Sequence, residues 1–135
     1  MSRTIDWEAT QPIWESNPDV VAAWAFGSAR DGELRWGSDV DIGVLLARRP
    51  TFDEQLDLLG RLQDALQLDE VDLVILNDAN AILRFAAVSG KRLFVRDLSA
   101  LAEFVSLTAR EYEDEMAQWE RAVRLYWRAT IKSGV

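Results

Sequence analysis

Apolar residues along this 135-residue chain fall first into short runs broken by polar turns, then into one long stretch with helical spacing. The unbroken run Val20-Val21-Ala22-Ala23-Trp24-Ala25-Phe26 predicts a strand covered on both faces, because a half-solvated strand would alternate apolar and polar positions. A second run, Ile42-Gly43-Val44-Leu45-Leu46, and a third, Val71-Asp72-Leu73-Val74-Ile75-Leu76, predict two more strands. Arg92-Leu93-Phe94-Val95 predicts a short last one.

Helices are expected between these strands. A short one is predicted over 5–15 with Thr4 as N-cap, ended by the turn Asn17-Pro18-Asp19. After Arg48-Arg49-Pro50, Thr51 or Asp53 opens a helix in which Leu56, Leu59, Leu62, Leu66 and Leu68 recur every three or four residues and should face the core. Asn77-Asp78 is expected to cap a helix over 81–87, which Gly90 stops. Strands joined through helices predict a small mixed sheet with helices packed on it, an α/β (α+β) fold. From about 99 to 132 the chain has neither Pro nor Gly, and an apolar stripe runs through Leu101, Phe104, Val105, Tyr112, Met116, Trp119, Val123, Tyr126 and Trp127. So long a C-terminal helix extends past a core of this size, and its Trp119, Tyr126 and Trp127 end suits a partner surface, a fold-back or a dimer seam.

The length suits one domain, divided into a core over about 18–97 and the long helix over about 98–132. Charge then narrows the partners. Fifteen Lys and Arg against 23 Asp and Glu give a net charge of −8, which disfavours gripping a nucleic-acid backbone and favours encounter with a basic protein, or simply solubility. With neither cysteine nor histidine, disulfides, thiol chemistry and imidazole catalysis are excluded, so carboxylates must carry any acid–base work. No apolar run approaches a membrane span and the N-terminus lacks the apolar core of a secretory signal, so a cytoplasmic location is expected.

One spacing stands out. Gly27-Ser28 closes the first strand, and after ten residues Asp39-Val40-Asp41 opens the second. A Gly-Ser turn lets the backbone approach a phosphate, while carboxylates two apart on a strand share a face. Such a pair is unfavourable without a proton or cation between its members, and an all-oxygen set suits Mg²⁺, with Mn²⁺ as the alternative. A nucleoside triphosphate is the natural guest. Two-metal transfer calls for a third carboxylate, and Asp72 is the candidate, because burying it within an apolar strand is costly without a partner or metal. Trp36 lies between turn and carboxylates, where packing and base stacking are equally open to it. Trp7 and Trp14 are expected to pack on the sheet.

These residues resemble the minimal nucleotidyltransferases of the DNA polymerase β superfamily. Gly27, Ser28, Asp39, Asp41 and Asp72 match the family pattern, and Phe26, Gly32, Ser38, Leu76-Asn77 and Gly90-Lys91-Arg92-Leu93-Phe94 extend the likeness over about 20–97. The resemblance implies the nucleotidyltransferase fold, metal ligation by Asp39, Asp41 and Asp72, nucleotide binding by Gly27, Ser28, Arg30 and Ser38, and Asp72 as proton acceptor. One departure is that Asp31 stands where the family carries Arg, with Arg30 one residue earlier. The short chain and its Leu-Asn segment look most like MntA-type antitoxins, which are paired with HEPN-domain ribonuclease toxins. That likeness implies transfer of AMP from ATP to a tyrosine of the toxin. Two alternatives stand beside it: transfer to a small hydroxyl compound such as an aminoglycoside, and a catalytically inactive antitoxin acting by binding alone.

Overall fold

In a computed structural model, residues 2–35 and 39–132 are described. The strands are β1 (Ser2–Thr4), β2 (Val20–Phe26), β3 (Glu33–Arg35), β4 (Val40–Leu46), β5 (Val71–Ile75) and β6 (Lys91–Val95). The helices are α1 (Gln11–Ser16), α2 (Phe52–Leu66), α3 (Ala81–Val88) and α4 (Leu98–Lys132). Four strands form a mixed sheet in the order β5-β4-β2-β6, and β1 and β3 form a separate two-stranded ribbon. The β4–β5 pairing is parallel, joined through α2, whereas β2 runs antiparallel to β4 and to β6.

The continuous apolar character of β2 follows from cover on both faces. Ala23 and Ala25, with Val40, Ile42 and Val44 of β4, pack against Ile13 and Trp14 of α1 and Leu58, Leu62 and Leu66 of α2. Ala22, Trp24 and Phe26 face the other way, against Leu83 and Ala87 of α3 and Leu101, Phe104 and Val105 of α4. The second face brings α3 close to the sheet, and Gly43 leaves room for it: a Cβ there would lie 3.2 Å from both Ala87 Cβ and a Leu76 methyl. Arg96 at the end of β6 ties the layers together, donating to the carbonyls of Trp14 at 2.8 Å and Val20 at 3.0 Å.

Several local expectations are corrected. Thr4 lies in β1 rather than capping a helix over 5–15; Asp6 caps a 3₁₀ turn (Trp7–Thr10), and α1 starts only at Gln11, with Pro12 in its first turn. After Gly27-Ser28 the chain makes one 3₁₀ turn (Gly27–Ala29) and then enters β3, which its pairing with β1 holds extended. In α2 the core takes Leu58, which shares one helix face with Leu62 and Leu66 at a spacing of four, while Leu56 is half exposed and Leu59 only partly buried; a Thr51–Glu54 capping box opens the helix. Asn80, not Asn77-Asp78, caps α3, its side chain accepting from Leu83 N at 2.9 Å. Asn77 has a different task. Its amide donates to Leu46 O at 2.7 Å and accepts from Leu46 N at 3.0 Å, continuing the β4 ladder with a side chain past the end of β5.

Trp7 and Trp14, expected to pack on the sheet, are both buried in the core cluster on the α1 and α2 side. Helix α4 runs for 35 residues, and beyond its contacts with α3 it leaves Trp119 63%, Tyr126 66% and Trp127 58% exposed. Among the described residues no helix is long and apolar enough to cross a membrane.

Candidate active site

Strand direction decides where the chemistry-bearing residues meet. β2 ends at Phe26 beside the start of β4, because the two are antiparallel with Phe26 opposite Asp41. β5 lies parallel to β4 on its other side and places Asp72 opposite Asp41. Asp41 and Asp72 therefore share the sheet face covered by α3, since alternation along β4 sends Val40 and Ile42 to the opposite face.

The two carboxylates are in side-chain contact, and Asp41 titrates above the ordinary aspartate range. Burial is the first cause of that rise, followed by the charges of Asp72 and then Asp39. The expectation that an apolar strand encloses Asp72 is corrected, for β5 is the sheet edge and Asp72 is exposed there. Its link to Asp41 comes from strand register rather than from burial. Asp39 is exposed just before β4. Among the described residues no three carboxylates close into a preformed cage. The donor set is nonetheless all oxygen, with two carboxylates side by side, which fits a hard divalent cation bound jointly with a ligand's phosphates.

Gly27 follows β2 with φ +76°, in a 3₁₀ turn (Gly27–Ala29) that also holds Ser28. A Cβ on Gly27 would run into the Asp41 carboxylate, so glycine is needed both for the left-handed backbone and for the approach. Gly90 plays a similar part before β6, where a Cβ would overlap the Ala25 carbonyl and lie 2.9 Å from Phe26 Cβ. These residues border a cleft of about 580 Å³. Its lining combines Gly27, Arg30, Asp41 and Asp72 with the apolar side chains of Val74, Leu83, Phe85 and Ala86. The size lies within the range of small-molecule sites.

Asp31, the departure from the family pattern, is not among the cleft-lining residues, and its carboxylate accepts from Glu33 N at 3.0 Å. Ser38 and Trp36 lie outside the described residues. The apolar lining of the cleft was missed by the sequence reading. Phe85 carries no motif, and only its position on α3 against the sheet brings it to the cleft. A second cleft, of about 340 Å³ between α1 and α2, has an acidic rim whose Glu54 and Asp57 face Arg48 and Arg61. Asp41, by contrast, feels the charges of other carboxylates.

Comparison with known proteins agrees with this geometry. The chain is 26% identical to a solved toxin–antitoxin structure with AMP-PNP, covering 88% of this chain and 96% of that one with a TM-score of 0.73. It is 27% identical to a chain of a mutant MntA–HpeT toxin–antitoxin complex, covering 88% and 95% with a TM-score of 0.72. A complex of a tri-AMPylated HEPN toxin with an MNT antitoxin from Shewanella oneidensis shares the fold, at 24% identity and a TM-score of 0.66, covering 86% and 92%. No curated protein matches the chain by sequence. The polymerase beta nucleotidyltransferase family matches residues 8–99, more than half of the chain and every strand of the site, and this chain belongs to that family of nucleotidyltransferases.

Proposed function

We propose that this chain is a Mg²⁺-dependent protein adenylyltransferase and antitoxin, which transfers AMP from ATP to a tyrosine of a HEPN-domain ribonuclease toxin in the cytoplasm. The observation that carries the reading is the pairing of Asp41 with Asp72 across β4 and β5, directly against the Gly27 turn. Its nearest support from outside is the likeness to toxin–antitoxin chains, one of them solved with AMP-PNP.

In this reading the catalytic unit spans about 18–97, and α4, over about 98–132, carries the docking surface. Gly27, Ser28, Arg30 and Ser38 hold the triphosphate; Arg30 and the backbone of the turn supply positive charge and N–H donors. Asp39, Asp41 and Asp72 would hold Mg²⁺, which when bound offsets the charge gathered on the phosphates. An Asp72 carboxylate oxygen takes the proton of the acceptor hydroxyl. The freed oxygen then bonds to the α-phosphorus of ATP, and the bond to pyrophosphate breaks. The edge position of Asp72 suits this role, since a large acceptor can reach an exposed carboxylate.

Toxin contact is assigned to the distal face of α4. Trp119, Tyr126, Trp127 and Ile131 recur at helical spacing, all are more than half exposed, and Arg121, Arg124 and Arg128 flank them.

The test is to incubate the protein with the toxin encoded beside it, ATP and Mg²⁺, and to read intact mass and the modified residue. Added AMP on a toxin tyrosine supports the proposal. A bound but unmodified toxin supports the binding-only antitoxin, and label on a small hydroxyl compound instead supports the small-molecule transferase.

A further inference from the structure

Phe85 is out of place as a core residue. It is half-buried on α3, yet it packs into neither of the two apolar clusters that cover the sheet. Instead it lines the cleft that holds Asp41, Asp72, Gly27 and Arg30. Tyr112 of α4 stacks on the ring, with centroids 3.9 Å apart and planes inclined by only 9°. Tyr112 is not a lining residue of the cleft. Tyr112 thus covers one face of the Phe85 ring from outside the cleft, while Phe85 itself is part of the cleft wall.

We propose that Phe85 is the platform on which the purine ring of the bound nucleoside triphosphate stacks, with Tyr112 as the positioning residue that holds it. The inference rests on the reading of this cleft as a nucleoside triphosphate site and names what sets its base affinity. Arg30 and the carboxylates suit phosphates and a cation, and the same cleft offers Val74, Leu83 and Phe85 to an apolar part of the ligand. A purine is such a part, and aromatic stacking suits it because the interaction needs a π face and no particular hydrogen-bond pattern. The Tyr112 stack removes ring freedom in advance, so less ordering is lost when the base arrives. Around Phe85, α3 is fixed to α4 by Arg84, which reaches Glu111 at 3.6 Å and lies 5.4 Å from the Phe104 ring centroid. The platform is therefore set against the same helix that carries the distal aromatic face.

The test uses calorimetric titration of the full chain with ATP and, separately, inorganic triphosphate, both with Mg²⁺. Wild-type protein should bind ATP more tightly than triphosphate. Phe85→Leu should weaken ATP binding about tenfold, a loss typical of one stacked base, and leave triphosphate binding unchanged in a protein that still folds, with a modestly lower Tm from the lost Tyr112 stack. Phe85→Trp should restore ATP affinity, and Tyr112→Leu should produce a smaller loss in the same direction. Stacking should also quench 2-aminopurine riboside triphosphate on wild-type protein and not on Phe85→Leu. Unchanged ATP affinity in Phe85→Leu overturns the platform, as does equal loss of ATP and triphosphate, which marks Phe85 as structural. An unchanged ATP affinity with a raised KM for the protein acceptor assigns the ring to the acceptor and also overturns it. If wild-type protein binds neither ATP nor triphosphate, the reading of the cleft itself falls.

Discussion

Gly27 and Asp41 are packed so closely that a single methyl group on the glycine would overlap the carboxylate. The turn that would receive phosphates and the carboxylate that would receive the cation are thus one unit. Gly27→Ala should remove transfer activity even where the protein still folds. The positive φ of +76° adds backbone strain of about 1–2 kcal/mol for any residue with a Cβ. Thermal unfolding beside a nucleotide-binding titration checks this: a lower Tm together with lost ATP binding is expected.

Asn77 should matter through the sheet rather than through chemistry. It makes two hydrogen bonds to the Leu46 backbone, and removing its amide leaves a partly buried N–H and C=O without their partner. Asn77→Ala is expected to cost about 1–3 kcal/mol. Denaturant unfolding should show a lower midpoint with an unchanged slope.

Glu54 supplies a pH dependence of known sign. Its side chain meets Arg48 and the Thr51 backbone, and these hold its pKa down to about 2 from an ordinary 4.5. A depressed carboxylate contributes stability that is present above its unfolded-state value and is lost as pH falls through its folded value. Glu54→Gln should therefore lower Tm at pH 7, and the gap to wild type should close progressively between about 4.5 and about 2. Melting curves across that interval, at low and high salt, read it directly.

The distal part of α4 should be dispensable for folding. Trp119, Tyr126 and Trp127 are largely exposed, so Trp119→Ala with Trp127→Ala is expected to leave Tm within a degree or two, because surface substitutions usually change stability little. The same double variant should bind the toxin at least tenfold more weakly, as the loss of interface tryptophans does elsewhere. Calorimetry against purified toxin measures it.

Much of the sheet was legible because its central strands are covered on both faces and hence read as unbroken apolar runs. The meeting of Asp41 with Asp72 was legible as well, though for a partly mistaken reason: Asp72 is brought to its neighbour by parallel register at a sheet edge, not by burial in an apolar strand. The ribbon of β1 and β3 was not legible. Each strand has three residues, and their extended form comes from pairing across some 30 positions of sequence, which no local pattern carries. Phe85 escaped for a related reason. On α3 it looks like any apolar helical residue, and only the arrangement of α3, α4 and the cleft distinguishes it from Ala87, which is fully buried two residues later.

The most direct measurement is AMP transfer to the toxin by wild-type protein and by Asp41→Asn, with ATP and Mg²⁺ and intact mass as the readout. Replacing one carboxylate of the central pair also removes a like-charge contact, so the variant should fold with a Tm at least equal to that of wild type. The account predicts that wild type adds AMP to the toxin and that the folded Asp41→Asn protein adds none. Transfer by Asp41→Asn at the wild-type rate would contradict it.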